Sequence, residues 1–597
     1  MDIQPIAVQI SKLRFFISLI CEQPKIENHP EENYGYNPLP NLETKFVAAN
    51  TLIGKAKKTD DMALFANPRI DEITKKLGEI RKVHFSAKTA QEKKENREED
   101  EKLRKELSKL LEEEQVYSPE DAKQLAEWNP YDQSAPASSF FDAEWMFGIK
   151  DGFDVVIGNP PYVRIQTLNN SDSKLVEKYN DLYSEITIGN YDLYLLFMYR
   201  GLQLINQKGM VTYIEPNKFL LATMGTKIRQ LLKKENLIKR LIDFGTNQIF
   251  KTATTYTCII FISQSESETF EYKKFNLGEN YLDFNSIAFS DIDFKNLPDK
   301  ANWTLSNNSS NSVLEKIKAQ KYKFIDITEK IFKGSSTGND KIFLLDLVSE
   351  NSKTYSVKSE VSPEPFEIEK KICRKFLYGE SVLRYAEPNS TKLLLFPYKK
   401  EFDKYALYTA NDMKKTFPLA FSYLKKHKEL LLSRKIPLTA DNFFKFSAAR
   451  SLNDYEQTKI LIPDMLVSDR VSLDENGEYF TGPAIHCPVF NSVGKQFEQK
   501  FYLAILNSKL FWYFISHTST ALRGDAYRLT PEFLNDFVFP DITPAQQKSI
   551  IALVDKILAA KKANPQADTS KEEAEIDRLV YALYGLSEDE IKIVEGR

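Results

Sequence analysis

Cysteine is scarce in this chain of 597 residues: Cys21, Cys258, Cys373 and Cys487 lie far apart, with no Cys-x-x-Cys pair, and only five histidines accompany them. Such spacing argues against a disulfide framework and against a zinc site. No run of about 20 uncharged apolar residues occurs, and the N-terminus lacks the charged start, apolar stretch and small-residue cleavage site of a secretory signal. The expectation is a cytoplasmic protein with no membrane span. Charge of one sign is lacking too, since 81 basic and 84 acidic residues leave a net −3. Any nucleic-acid surface must therefore be local.

What is present divides into regions. The apolar residues Ile6, Val8, Ile10, Leu13, Phe16 and Leu19 recur at helical spacing and predict a packed helix over Ile3 to Ile20. After a Pro/Asn-rich loop from Asn28 to Leu42, Thr44 to Ala49 reads as a short strand. From about 56 to 125 Lys, Arg and Glu dominate, with narrow apolar stripes at Ile70, Ile73, Leu77, Ile80 and at Leu103, Leu107, Leu110. Two helices paired as an antiparallel hairpin satisfy both stripes, and the segment is an insertion with a solvated outer face.

Phe153 to Gly158 is apolar on both faces, the pattern of a strand in the middle of a parallel sheet. Tyr191 to Ile205 predicts a helix, Gly209 to Ile214 a strand, Thr226 to Leu232 a helix, and Ile238 to Phe244 and Thr255 to Ile262 two more strands. This alternation predicts an open α/β sheet, whose ligands bind at the carboxyl ends of the strands. Beyond about residue 300 short strands (Ile342 to Leu345, Leu393 to Phe396, Lys459 to Ile462) and many loops predict a second domain of α+β type. From Pro544 two amphipathic helices close the chain and are expected to pack on it.

The chemistry concentrates at Asn159-Pro160-Pro161-Tyr162. An exocyclic amino group on adenine is a poor nucleophile, because its lone pair is delocalised into the ring. Two acceptors aimed at its protons, the Asn159 side-chain oxygen and the Pro160 carbonyl, would localise that lone pair toward a methyl donor. The two prolines fix φ and remove competing donors. Tyr162 offers a ring face for a base swung out of the duplex. No metal is needed. Asn and Pro also favour ordinary turns, so the tetrapeptide gains its meaning from the strand before it and the blocks after it.

With these blocks the chain resembles the γ-type adenine-specific (N6) DNA methyltransferases, including the methylating halves of type IIG restriction-modification enzymes. Asp154 to Tyr162 is similar to their motif IV. Met1 to Val8 resembles motif II, which implies that Asp2, with Ile3 beside it, meets the ribose of S-adenosylmethionine. Ala49 to Gly54 resembles motif III and places Asn50 at the cofactor's adenine, although the family often has Asp there; Asn159 completes the implied cofactor set. Tyr191 to Tyr194 and Gly209 to Pro216 resemble motifs V and VI. Gln248-Ile249-Phe250 is similar to motif VIII and makes Phe250 the wall opposite Tyr162, where Phe250 alone would read as a core residue. The resemblance implies a Rossmann-like S-adenosylmethionine-dependent sheet over 1–300 that is incomplete at its N-terminus. Motif X and the Gly-containing motif I loop have no counterpart, so a separate N-terminal methyltransferase or nuclease segment is an expected partner.

Residues 320–540 resemble the TaqI-like C-terminal specificity domain, with 541–597 as C-terminal helices. The matching segments are Ile331 to Lys341, Tyr378 to Tyr385 and Leu503 to Leu510. Ser335, Ser336 and Thr337, flanked by Lys333 and Lys341, suit phosphate contact as well as they suit a plain loop. Lys425, Lys426, Lys428, Arg434 and Lys435 form the densest basic cluster, which is either a solvated helix face or the local patch that DNA requires. Arg384, Arg470, Arg523 and Arg528 are candidates for base-edge or phosphate contact, and His486-Cys487 is expected in a core. Three functions compete: an adenine methyltransferase on double-stranded DNA, a DNA-recognition module without catalysis, and a protein glutamine methyltransferase. The last also uses Asn-Pro-Pro-Tyr but is shorter and has no DNA-reading domain.

Overall fold

The computed structural model describes residues 1–23, 35–55, 67–132, 134–250, 255–264, 267–275, 287–300, 302–305, 308–402, 404–522 and 526–596. The start of the expected insertion, the first part of the Pro/Asn-rich loop and Arg523 lie outside them. Two compact units account for the chain: 1–245 with 257–303, and 246–256 with 304–597. The architecture is mixed α/β.

In the first unit α1 (Pro5–Cys21) precedes a helical block of α2 (Pro68–Ser86), α3 (Ala90–Glu113) and α4 (Pro119–Glu127), followed by α5 (Ala143–Phe147). Helices α2 and α3 form the expected antiparallel pair, because Arg69 meets Glu106 at 2.7 Å and Arg81 meets Asp100 at 2.8 Å near the other end. Ile73, Leu77, Leu103 and Leu107 are buried between them. Their N-caps follow from sequence: Asn67 accepts from Arg69, and Thr89 with Glu92 forms a capping box.

The sheet follows: β1 (Phe153–Gly158), then α6 (Ile165–Asn169), α7 (Ser173–Leu182), α8 (Leu193–Leu204), β2 (Ile205–Pro216), α9 (Thr226–Lys234), β3 (Ile238–Asp243), β4 (Thr257–Ile262), β5 (Thr269–Lys274) and β6 (Ser290–Asp293). Strand order is β1-β2-β4-β3-β5-β6. Strands β1 and β2 run parallel, as do β3 and β5, whereas β4 is antiparallel to both of its neighbours.

Three expectations for this unit need correction. Strand β1 lies at the edge of the sheet, with Val155 61 % and Ile157 79 % exposed. Its apolar faces report what a central strand contains, yet among the described residues only β2 hydrogen-bonds it as a strand. Helix α1 likewise forms where expected but is not packed: Ile6, Ile10, Leu13, Ile17 and Ile20, spaced to share one face, point to solvent, and only Val8 and Lys12 are buried. The segment Thr44 to Ala49 makes isolated bridges, Asp2 with Ala48 and Ala49 with Ser138, in place of a strand.

The second unit holds a six-stranded and a four-stranded sheet with smaller ladders. Ile342 and Phe343 end a short helix, Asp340–Phe343, and the strand begins at Leu344. Buried residues of Pro544–Ala563 and Ser570–Leu583 join a core with Phe324, Ile460 and Phe501, and a further C-terminal helix, Glu588–Glu595, packs its Ile591 and Val594 on the same cluster. Among the described residues no helix is long and apolar enough to cross a membrane.

Candidate active site

The carboxyl ends of β1, β2 and β3 bring three sequence blocks together. Gly158 packs closely where β1 leaves the sheet: a Cβ there would lie 3.2 Å from the Tyr213 ring. The chain then turns through Asn159, exposed, with no hydrogen bond to its amide among the described residues, and Pro160, which is buried. Tyr162 is half-buried and donates its hydroxyl to the Ile214 carbonyl on β2 at 3.1 Å. The next turn is stitched to the start of α8, with Ile165 N–H donating to the Tyr191 carbonyl and Leu193 N–H to the Val163 carbonyl, both at 2.9 Å. Asp192, at the head of α8, pairs with Lys218 just after β2. Asn217 donates to Asp243 at 2.7 Å and ties β2 to the end of β3, where Asp243 also accepts from Gly245 N–H.

Behind Tyr162 lies a group the sequence did not disclose. Glu215 is wholly buried, neither carboxyl oxygen has a hydrogen-bond partner, and burial pushes its pKa well above the ordinary value of 4.5. It sits opposite Cys258 on β4, and burial and the Glu215 charge both raise the Tyr162 hydroxyl and the Cys258 thiol. Inward alternation of Val211, Tyr213 and Glu215 along β2 is the one signal that marks the position.

The other expected residues are placed as follows. Asp2 is exposed, and its carboxylate accepts from Gln4 N–H at 2.8 Å; Ile3 beside it is exposed. Asn50 is buried with its amide engaged at both ends, donating to the Tyr179 hydroxyl at 2.9 Å and accepting from Leu52 N–H at 3.1 Å. Tyr183 and Arg200 hold the same turn through the Leu52 and Thr51 carbonyls.

Phe250 belongs to the second unit, half-buried, with its carbonyl accepting from Gln248. In the loop after Lys333, Gly334 admits no side chain, since a Cβ would lie 1.9 Å from the Thr481 carbonyl. Ser335 and Thr337 are buried and bonded inward, to Arg450 and to Asp340, whereas Ser336 is half-buried and pairs its backbone with Ala448. Arg434 spends its guanidinium on the carbonyls of Thr337, Phe443 and Lys445, which leaves Lys425, Lys426 and Lys435 as the exposed cations of that cluster. Arg384 pairs with Asp469 and Glu573. Arg528 is exposed, Arg470 is half-buried with its Nε enclosed, and His486 and Cys487 are fully buried as expected.

Residues 1–250 match the Eco57I restriction-modification methylase family, and residues 375–537 match the TaqI-like C-terminal specificity domain. In both parts the chain is thus similar to restriction-modification methyltransferases. It is similar to the type II restriction enzyme and methyltransferase RM.Eco57I of Escherichia coli, 25 % identical over 395 residues that cover 62 % of this chain and 38 % of that protein. The type II methyltransferase M.BstVI of Geobacillus stearothermophilus is 21 % identical over 469 residues, 74 % of this chain and 75 % of its own length. Among solved structures, the type IIL restriction-modification enzyme MmeI in complex with DNA resembles it with a TM-score of 0.48 and 14 % identity, over 74 % of this chain and 56 % of that one. The chain thus spans well under half the length of RM.Eco57I.

Proposed function

We propose that this methyltransferase transfers a methyl group from S-adenosylmethionine to the N6 amino group of an adenine flipped out of double-stranded DNA, in the cytoplasm, at a sequence read by residues 320–540. The observation that carries the reading is the turn from Asn159 to Tyr162, with a free amide at Asn159 and a ring anchored on Ile214. Asn159 and the Pro160 carbonyl accept from the amino group, and Tyr162 stacks on the base. S-adenosylmethionine supplies an electrophilic methyl group when bound. The exposed Asp2 carboxylate suits a ribose diol, whereas the doubly engaged Asn50 amide does not fit a contact to the cofactor's adenine. Labelled S-adenosylmethionine should mark N6 of adenine in duplex DNA, and the label should vanish in Asn159→Ala. Label that survives that change sinks the mechanism.

A second reading is favoured by the uncovered edge of β1 and the uncovered stripe of α1. A Rossmann-like methyltransferase sheet continued beyond β1 by a further segment would cover both, and the chain without it would recognise DNA but bind the cofactor poorly. Calorimetry separates the readings: micromolar binding of S-adenosylmethionine by this chain alone excludes the second.

A further inference from the structure

A small three-stranded sheet in the second unit is formed by Met465–Leu466, Ala526–Arg528 and Thr520–Leu522. Met465 lies directly opposite Arg528, and Leu466 opposite Tyr527. Residues opposed in an antiparallel pair share a face. Leu466 is fully buried on the inner face, and Met465 and Arg528 therefore stand together on the outer one.

Met465 is 53 % exposed, Val467, two residues on, 58 %, and Leu383 57 %. Leu383 is drawn to this place by Ser472, whose hydroxyl donates to its carbonyl at 2.7 Å. The Arg470 guanidinium spans the two loops, reaching the Met465 carbonyl at 3.3 Å and the Glu380 carbonyl at 3.4 Å. Two stretches of the chain, each with exposed aliphatic side chains, are thereby held on neighbouring loops.

The cations around them are loosely held. Arg528 is exposed, and its guanidinium has no hydrogen bond or ion pair among the described residues. Both Arg470 contacts are long, and its buried Nε has no partner. Lys333 is 3.9 Å from Asp464. Neighbouring Arg384 shows the contrast, being committed to Asp469 and Glu573. An apolar ridge bracketed by uncommitted cations complements a DNA groove, where thymine methyls and base edges lie between two rails of phosphate. Leu383, Met465, Val467, Arg470 and Arg528 all fall within the specificity-domain match.

We propose that Leu383, Met465 and Val467 form an apolar ridge that enters a groove of duplex DNA, with Arg528, Arg470 and Lys333 on the flanking phosphates. It rests on the reading of this chain as acting on DNA, and it adds side chains that contribute without charge. All three ridge residues are exposed, so truncation leaves the fold intact, which thermal melting checks.

Binding of a labelled mixed-sequence duplex across a salt series tests the assignment. Arg528→Ala should reduce the slope of log K against log salt by about one. The double variant Met465→Ala/Val467→Ala should weaken binding on the order of tenfold at every salt concentration with the slope unchanged, as the loss of apolar contact requires. A double variant that binds like wild type overturns the ridge even where Arg528→Ala behaves as expected. A wild-type dimer that the double variant dissolves assigns the ridge to a second copy of the chain and also overturns it. Wild-type protein that fails to bind duplex at all overturns the DNA reading itself.

Discussion

The hydroxyl of Tyr162 donates to the backbone carbonyl of Ile214 at 3.1 Å, so the aromatic ring after the two prolines is anchored to the neighbouring strand. Its orientation is set before any substrate arrives. Tyr162→Phe keeps the ring and loses that bond, which should weaken DNA-dependent methyl transfer by about 1 kcal/mol, roughly fivefold. Tyr162→Ala removes the stacking face as well and should lose a further 1–3 kcal/mol or so. Single-turnover rates on duplex DNA check the order; equal losses in the two variants would remove stacking from the mechanism.

Glu215 predicts a pH dependence of stability. Its folded-state pKa is raised by burial, so the native protein holds this proton more tightly than the unfolded chain does. The stabilising effect is complete below the unfolded carboxyl value and is lost as pH climbs toward the folded one, at up to about 1.4 kcal/mol per pH unit. Glu215→Gln is neutral at every pH and should flatten that slope in urea titrations of the protein at pH values above the ordinary carboxyl range, where the upward shift places the loss. An unchanged slope would mean that other groups dominate.

Gly334 lies against the Thr481 carbonyl, which cannot give way as a flexible side chain would. Gly334→Ala should destabilise the second unit by roughly 1–3 kcal/mol and, by shifting the loop that carries Ser336, weaken DNA binding. Denaturant midpoints with anisotropy binding curves measure both; a variant as stable as wild type would contradict the packing described.

Lys459 and Asp474 form an ion pair buried in the second unit, and Lys459 also donates to the Tyr455 carbonyl. Removing one partner strands the other charge, so Lys459→Met should cost about 3–5 kcal/mol, and the double change with Asp474→Leu should recover part of it. A double-mutant cycle in urea gives the coupling; additive losses would show that the pair contributes nothing beyond its separate members.

Much of this was legible in the residues themselves. The stripes Ile73, Leu77 and Leu103, Leu107 announced paired helices because each alone is too narrow to bury in any other way, and Asn159 to Tyr162 stood out by following an apolar strand. The neighbours of that strand were not legible. Apolar residues on both faces of β1 suggest burial above and below in mid-sheet, yet the strand lies at an edge and Val155 and Ile157 on one of its faces are exposed. Ile342 and Phe343 illustrate the ambiguity of short apolar runs, which suit a buried helical turn as well as a strand. Glu215 escaped notice for a tertiary reason, since its protonation depends on the packing around it and not on adjacent residues.

The open flank of β1 also bears on how the protein behaves at the bench. Unpaired backbone groups beside Val155 and Ile157 make a sticky rim, able to recruit another strand of the same kind from a second molecule. Concentrated preparations are therefore prone to self-associate along this rim, and a lysine at 155 or 157 is the natural remedy.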